Sequence, residues 1–352
     1  MINVLVVDDS AFMRKMISSM LETDREIQVA DKARNGQDAL EKIKKLKPDV
    51  VTLDMEMPVM NGLEALKIIM KDYSLPVIMI SSTTKEGTET TIQAMEHGAF
   101  DFIPKPSGSI SLDINKIQTD LINKVKHAFH SVERRKSADN FKDKAQPEGA
   151  ETAVEKFMEY TGKKTLIAIG TSTGGPKALQ QVLIGLPEKI NAPILIVQHM
   201  PKGFTKSLSE RLNSLSKINV KEAENGEILK NGVAYIAPGG FHLKVRKIGT
   251  SLAVHLDESN TINGHRPSVD ALFYSLASLT NYKMITVILT GMGSDGTKAL
   301  TELRKNVMTL TLAESEQSAI VFGMPRAAIE SGQVDLVIHI NQVASTLVRY
   351  CQ

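Results

Sequence analysis

Short apolar runs alternate with stretches of helical spacing along most of this chain. INVLVV at the start is followed by Met13, Met16, Ile17, Met20 and Leu21, and VVTLD, PVIMI and DFI later repeat the strand-like run. Continuous apolar runs of this length suit parallel strands covered on both faces, and the intervening 3.6-residue periodicity supplies the covering helices. The alternation predicts an α/β domain with a doubly wound parallel sheet. From Ile114 to about Arg135 the residues Ile114, Ile117, Leu121, Val125 and Ala128 form one stripe of a long amphipathic helix that closes this domain. The pattern then lapses in ERRKSADNFKDKAQPEGAE, charged and poor in branched apolar residues, which reads as a linker. It resumes weakly at Val154, Phe157 and Met158 and firmly at Lys164. LIAI, PILIVQ and MITVILT are strands of a second, Rossmann-like α/β domain, each followed by helical spacing. Asn231 and Gly232, just before VAYIAP, predict a hairpin turn and therefore a small antiparallel portion. The expected layout is a first domain over 1–125 with its closing helix running to about 135, a linker over 136–162, and a second domain over 163–352.

Composition narrows what such a chain does. Its 42 basic and 40 acidic residues leave a net charge of +2, so no basic face is indicated and nucleic acid is not an expected partner. The single cysteine, Cys351, excludes an internal disulfide and zinc-finger spacing and fits a reducing compartment. No apolar run reaches the roughly eighteen residues that cross a bilayer, and MINVLVVDD meets two acids before a signal-peptide core is complete. A cytoplasmic protein without membrane insertion is expected.

Candidate chemistry clusters at the ends of the strands. In the first domain Asp8, Asp9 and Asp54 fall at the C-terminal ends of two strands, the edge where open parallel sheets place ligands. Carboxylates gathered there invite a hard cation, and oxygen ligands beside a phosphate suit Mg²⁺. Ser81 ends PVIMIS and Lys105 follows DFIP, so both reach the same edge.

VLVVDDS, VTLDMEMPVMNG, MISS and DFIPKP resemble the receiver domain of bacterial response regulators over roughly residues 1–125. The resemblance implies a flavodoxin-like fold in which Asp54 accepts a phosphoryl group from a histidine kinase. It further implies that Asp8 and Asp9 hold Mg²⁺ together with Asp54, that Ser81 hydrogen-bonds the phosphoryl group, and that Lys105 pairs with it. Phe102 matches the family's aromatic switch position.

In the second domain, Leu166 to Leu183 reads as strand, sharp turn and helix, with Ser172 at the turn inside Gly170-x-Ser-x-Gly174. Small neighbours allow a tight turn that presents a serine hydroxyl at a helix N-terminus. His199 ends PILIVQH, and Asp295 follows the strand in MITVILTGMGSDG. Serine, histidine and aspartate thus lie on one sheet edge, where the histidine can take the serine proton and the aspartate can fix the imidazole. The order Ser, His, Asp differs from the Ser, Asp, His order of α/β-hydrolases. A rival reading uses Gly291, Gly293 and Gly296, a Gly-x-Gly-x-x-Gly between strand and helix with Glu314 a little over twenty residues on, which is the spacing of a dinucleotide-binding domain.

IGTSTGGP, QHMPKGF, YIAPG, HRPSVD, LTGMGSDG and VFGMPR are similar, in this order, to the catalytic domain of the chemotaxis protein-glutamate methylesterases, the CheB family. That resemblance implies a methylesterase domain with Ser172, His199 and Asp295 as its triad. The implied substrates are chemoreceptor glutamate γ-methyl esters, with deamidation of receptor glutamines as a second activity. Backbone N–H groups at Thr173 and, by the resemblance, Met292 are the expected oxyanion donors. No cofactor is expected in this domain. Arg266 reads as structural or as a guide for acidic receptor helices. The competing non-enzymatic reading is a signalling adaptor that binds receptors without catalysis.

Overall fold

The structure, a computed structural model, describes residues 1–105, 114–136 and 146–351. The chain divides between residues 140 and 141 into two compact units.

The first unit runs β1 (Ile2–Val7), α1 (Ala11–Leu21), β2 (Ile27–Ala33), α2 (Gly36–Leu46), β3 (Val50–Asp54), α3 (Gly62–Asp72), β4 (Val77–Ser81), α4 (Lys85–Glu96), β5 (Asp101–Pro104) and α5 (Ile114–Lys136). Its five strands are parallel in the order β2-β1-β3-β4-β5. Val4 to Val7 and all of β3 are buried, as runs covered on both faces require. Side-chain caps start the helices: Ser10, Asn35, Asn61 and Thr84 accept from the first-turn amides of α1 to α4. Winding reverses between β1 and β3, which opens a crevice at their C-terminal ends. Asp8 follows β1 at that point and Asp54 closes β3.

The second unit begins earlier than composition suggests. Gln146 exchanges hydrogen bonds with the Val337 backbone, and α6 (Ala150–Glu159) buries Phe157 completely under the ammonium of Lys283, 4.6 Å from its ring centroid. Residues 146–162, assigned to the linker on charge and sparse apolar content, therefore carry structure. One phenylalanine anchors a helix whose exposed faces look like linker. Residues 137–145 lie outside those described.

The unit continues through β6 (Lys164–Thr171), α7 (Gly175–Ile184), β7 (Ile194–Gln198), α8 (Phe204–Leu215), β8 (Asn219–Glu222), β9 (Val233–Ile236), β10 (His242–Ile248), β11 (Ser251–Asp257), α9 (Val269–Leu276), β12 (Tyr282–Ile288), α10 (Thr297–Asn306), β13 (Thr309–Glu314), α11 (Met324–Glu330), β14 (Leu336–Ile338) and α12 (Ile340–Tyr350). Seven parallel strands lie in the order β14-β13-β12-β6-β7-β9-β8. Leu166, Ala168, Leu195, Val197, Leu272, Phe273 and Leu300 belong to one buried core over this sheet, each of the larger side chains contributing roughly 1.5–3 kcal/mol. The antiparallel portion exists but not where Asn231-Gly232 placed it. The β9 strand that follows this pair is parallel to both neighbours, and the antiparallel ladder is β10 with β11. A turn doublet fixes local backbone, whereas the pairing of the next strand depends on where the sheet has an open edge.

Candidate functional site

Winding of the second sheet reverses between β12 and β6, and the loops leaving β6, β12 and β7 gather at that crevice. Ser172 leaves β6. Its amide donates to the Thr290 carbonyl (3.0 Å), and its carbonyl accepts from Gly175 N–H (2.8 Å) and the Gln198 side-chain amide (3.0 Å). The serine thus sits in a turn pinned from β12, β7 and the head of α7. Gly170 is required because a Cβ there would lie 2.6 Å from Val269 Cγ1. Gly291 is required because its Cβ would lie 2.9 Å from Ser172 Cβ and 2.4 Å from Met324 Sδ.

Thr171 and Gln198 are the last register partners of two adjacent parallel strands, so Ser172 and His199 each leave the sheet one residue later, side by side. His199 N–H donates to the Thr171 carbonyl (3.1 Å). Its imidazole is nearly buried, with Nε2 2.8 Å from Asp295 Oδ2, and Nδ1 is buried without a hydrogen-bond partner.

Asp295 is 2% exposed and collects five donors. Oδ2 takes His199 and the Val269 amide (2.6 Å); Oδ1 takes Asn263 Nδ2 (2.9 Å), Ser268 Oγ (2.8 Å) and the Asp270 amide (3.2 Å). Both backbone amides belong to the first turn of α9, so the carboxylate is seated on a helix N-terminus, where the dipole favours negative charge. Burial alone would raise its pKa. The His199 hydrogen bond and charge, the Val269 amide and Asn263 outweigh burial and hold the carboxyl below the usual carboxylate range. Neighbouring Asp270, also buried, is shifted the other way by desolvation and accepts from Ala299 N–H and Asn263. A serine at a helix head, a buried imidazole and an ionised carboxylate at one crevice are the residue types that acyl transfer uses.

This packing overturns the dinucleotide reading of Gly291, Gly293 and Gly296. Gly291 admits Ser172, and a Cβ on Gly296 would meet Val269 Cγ1 at 2.7 Å. Glu314, which a ribose would have to reach, is 1% exposed and accepts from Thr290 N–H (2.7 Å) and Ser318 Oγ (2.9 Å). Of the expected oxyanion donors, Thr173 is buried with its carbonyl held by Thr290 Oγ1 (2.9 Å), and half-buried Met292 follows the glycine that abuts Ser172. Arg266 Nη1 donates to the Glu258 and Ser259 carbonyls, a structural use. Gln198, His265 and Ser268 lie inside the motifs QHMPKGF and HRPSVD but carry no role there, His265 reading as structural, and Asn263 is not singled out. For Asn263 the sequence signal is the doublet Asn263-Gly264.

In the first unit Asp8 and Asp54 are fully buried and Asp9 is exposed, and each offers a carboxylate oxygen within 4.8 Å of the others. Lys105 Nζ lies 2.8 Å from both Asp54 oxygens and 3.9 Å from Asp8 Oδ2. Ser10 N–H donates to Asp8 Oδ1 (2.9 Å), and Asp8 Oδ2, buried, has the Lys105 charge near it. Burial drives the Asp54 pKa up to about 6, with Asp8 adding to the rise and Lys105 opposing it. Three carboxylate oxygens gathered within 4.8 Å of one another, two of them buried and with the Lys105 ammonium nearby to offset them, fit a small divalent cation. Ser81 Oγ is engaged by α4 and the loop before it, lying 3.1 Å from the Gly87 carbonyl and 2.5 Å from Thr91 Oγ1. Phe102 is buried beneath the Lys124 ammonium, 5.5 Å from its ring centroid. Among the described residues no helix is long and apolar enough to cross a membrane.

Two family models match this chain: response regulator receiver domain over residues 4–115 and CheB methylesterase over 167–347. A protein-glutamate methylesterase/protein-glutamine glutaminase of Halalkalibacterium halodurans is 55% identical over 352 residues, 100% of this chain and 99% of that protein. A protein of the same name from Bacillus subtilis is 50% identical over 352 residues, 99% of this chain and 98% of its own length. Among solved structures, the Thermotoga maritima CheB methylesterase catalytic domain is 43% identical with a TM-score of 0.51, covering 54% of this chain and 98% of that one.

Proposed function

The chain belongs to the CheB methylesterase family, and on that premise we propose a mechanism in which Ser172, His199 and Asp295 are the catalytic triad of a protein-glutamate methylesterase and protein-glutamine glutaminase. It is a hydrolase, which removes the non-catalytic adaptor reading. The observation that carries the site assignment is the His199–Asp295 pair held one residue beyond the strand partner of the serine turn. Asp295, bonded at Nε2, leaves Nδ1 as the nitrogen that takes the Ser172 proton. Ser172 Oγ bonds to the ester carbonyl carbon, and the oxyanion is received by backbone N–H groups at Thr173 and Met292. Collapse breaks the C–O bond to methoxide, which leaves as methanol with the proton from His199. Water, deprotonated by His199, then attacks the acyl-enzyme and frees the glutamate carboxyl and Ser172. With a glutamine substrate the leaving group is ammonia.

Regulation enters through the receiver. Asp54 is the proposed phosphoacceptor and Lys105 the cation paired with the transferred group; Ser81 reaches that group only by leaving its α4 partners. Asp8, Asp9 and Asp54 would hold Mg²⁺, which when bound offsets charge on the phosphoryl oxygens. The proposed donor is a chemotaxis histidine kinase and the proposed substrates are methyl-accepting chemoreceptors, in the cytoplasm. The receiver is assigned to residues up to 136 and the catalytic domain to residues from Gln146 onward. The assignment is tested by methanol release from methylated receptor membranes. Ser172→Ala is expected to lose about 10⁴-fold or more in rate with its melting temperature unchanged; retained methanol release would remove Ser172 from the mechanism.

A further inference from the structure

His265 lies flat on the ring of His199, with centroids 3.9 Å apart and planes 12° from parallel. It is carried by a two-residue turn. Ile262 and His265 exchange both backbone hydrogen bonds (3.1 and 2.9 Å), and the intervening Asn263 and Gly264 have φ of 54° and 79°. Positive φ at both central positions, filled by Asn-Gly, is the I′ type, a turn of narrow conformational choice.

The turn is anchored on the very carboxylate that holds His199. Asn263 Nδ2 donates to Asp295 Oδ1 (2.9 Å) and Asp270 Oδ2 (2.8 Å), so side chain and backbone of the turn share one frame with α9. Beyond His265, the Arg266 guanidinium ties to the Glu258 and Ser259 carbonyls, and its own carbonyl accepts from Gly240 N–H (3.1 Å).

An imidazole tethered through Nε2 alone can still swing about that bond, carrying Nδ1 out of line with a serine hydroxyl. A parallel aromatic face on rigid backbone removes that freedom. We infer that His265 is a positioning residue for ester hydrolysis, acting by stacking to fix the plane of His199. The inference rests on the triad assignment above. His265 is half-buried and belongs to no strand or helix, so its stacking on His199 is not accounted for by packing of the core.

The test compares His265→Ala, His265→Leu and His265→Phe in the full chain, reading kcat and KM for methanol release from methylated receptor membranes beside the melting temperature. Misalignment of a base by a fraction of an ångström to an ångström costs on the order of 10- to 100-fold in kcat. That loss is expected for Ala and Leu, with KM within about twofold, and Phe is expected to recover to within a few-fold of the parent. If Ala or Leu keeps parental kcat, the inference is overturned. It is equally overturned if Phe is as slow as Leu, since a ring nitrogen and not the stacked face would then be needed. Should Ala fail to fold, the Leu and Phe pair decides. Ser172→Ala in the same assay separates the two levels: its failure to abolish release would sink the triad, whereas its success with an unaffected His265→Leu would sink only the stacking role.

Discussion

A buried carboxylate is defined by what its neighbours do with its charge, and this chain holds two opposite cases. Asp295 is ionised by donors from five directions, so its contribution to stability is complete above the unfolded carboxylate range and is lost as pH falls through its depressed folded value. Asp54 is the reverse, with a folded pKa of about 6 against 3.8 unfolded. Below the lower value it is neutral in both states and costs nothing. As pH rises through that interval the folded state carries a growing penalty, complete above about pH 7, of roughly 1–3 kcal/mol at 1.36 kcal/mol per unit. Asp54→Asn in the presence of a chelator is therefore expected to raise the receiver's unfolding temperature at pH 7.5 and leave it unchanged near pH 4. Calorimetry at both values checks the sign; a variant destabilised at pH 7.5 would contradict it. The same strain has a functional reading, because an acid held uncomfortably ionised is relieved by a cation or by esterification.

Elements place these residues by close approach. The loop after β12 can reach Ser172 only because Gly291 has no side chain, since a Cβ would stand 2.9 Å from the serine Cβ. Met324 Sδ, at the end of a flexible chain, can yield; the pinned serine turn cannot. Gly291→Ala is expected to keep the fold and lose on the order of 10²-fold in kcat, read by methanol release beside circular dichroism. A second element-scale prediction concerns α6. Phe157 is fully buried beneath Lys283, so Phe157→Ala should cost about 3–5 kcal/mol in the second unit, measured by urea unfolding. A cost under about 1 kcal/mol would return residues 146–162 to the linker. Both were only faintly legible in the sequence: Val154, Phe157 and Met158 gave a weak helical pattern amid charge, and nothing in the spacing of Gly291 says that a serine turn must approach it.

The chain carries two parallel sheets, each with polar residues gathered at its own switch point: the proposed phosphoacceptor edge and the proposed hydrolytic edge. Acetyl phosphate with Mg²⁺ is expected to raise methanol release by the full chain severalfold and to leave Asp54→Ala at its basal rate; equal stimulation of the variant would place control elsewhere. Both α/β sheets were legible in the residue pattern, because strands buried on both faces must be continuously apolar and their helices must repeat at 3.6. The sequence also determined which polar residues end those strands, so Asp8, Asp54, Lys105, Ser172, His199 and Asp295 could be named before any contact was known. Tertiary structure alone decided how the ends meet. Asp295 turned out to sit on the N-terminus of α9, a helix preceding it by 26 residues at Val269, and a second Asn-Gly doublet, 263–264, proved to bend toward that carboxylate. Sequence pattern reports what each segment must bury. Which donor reaches a carboxylate, and which ring lies on which, depends on distances between segments, and these are set only when the whole sheet is wound.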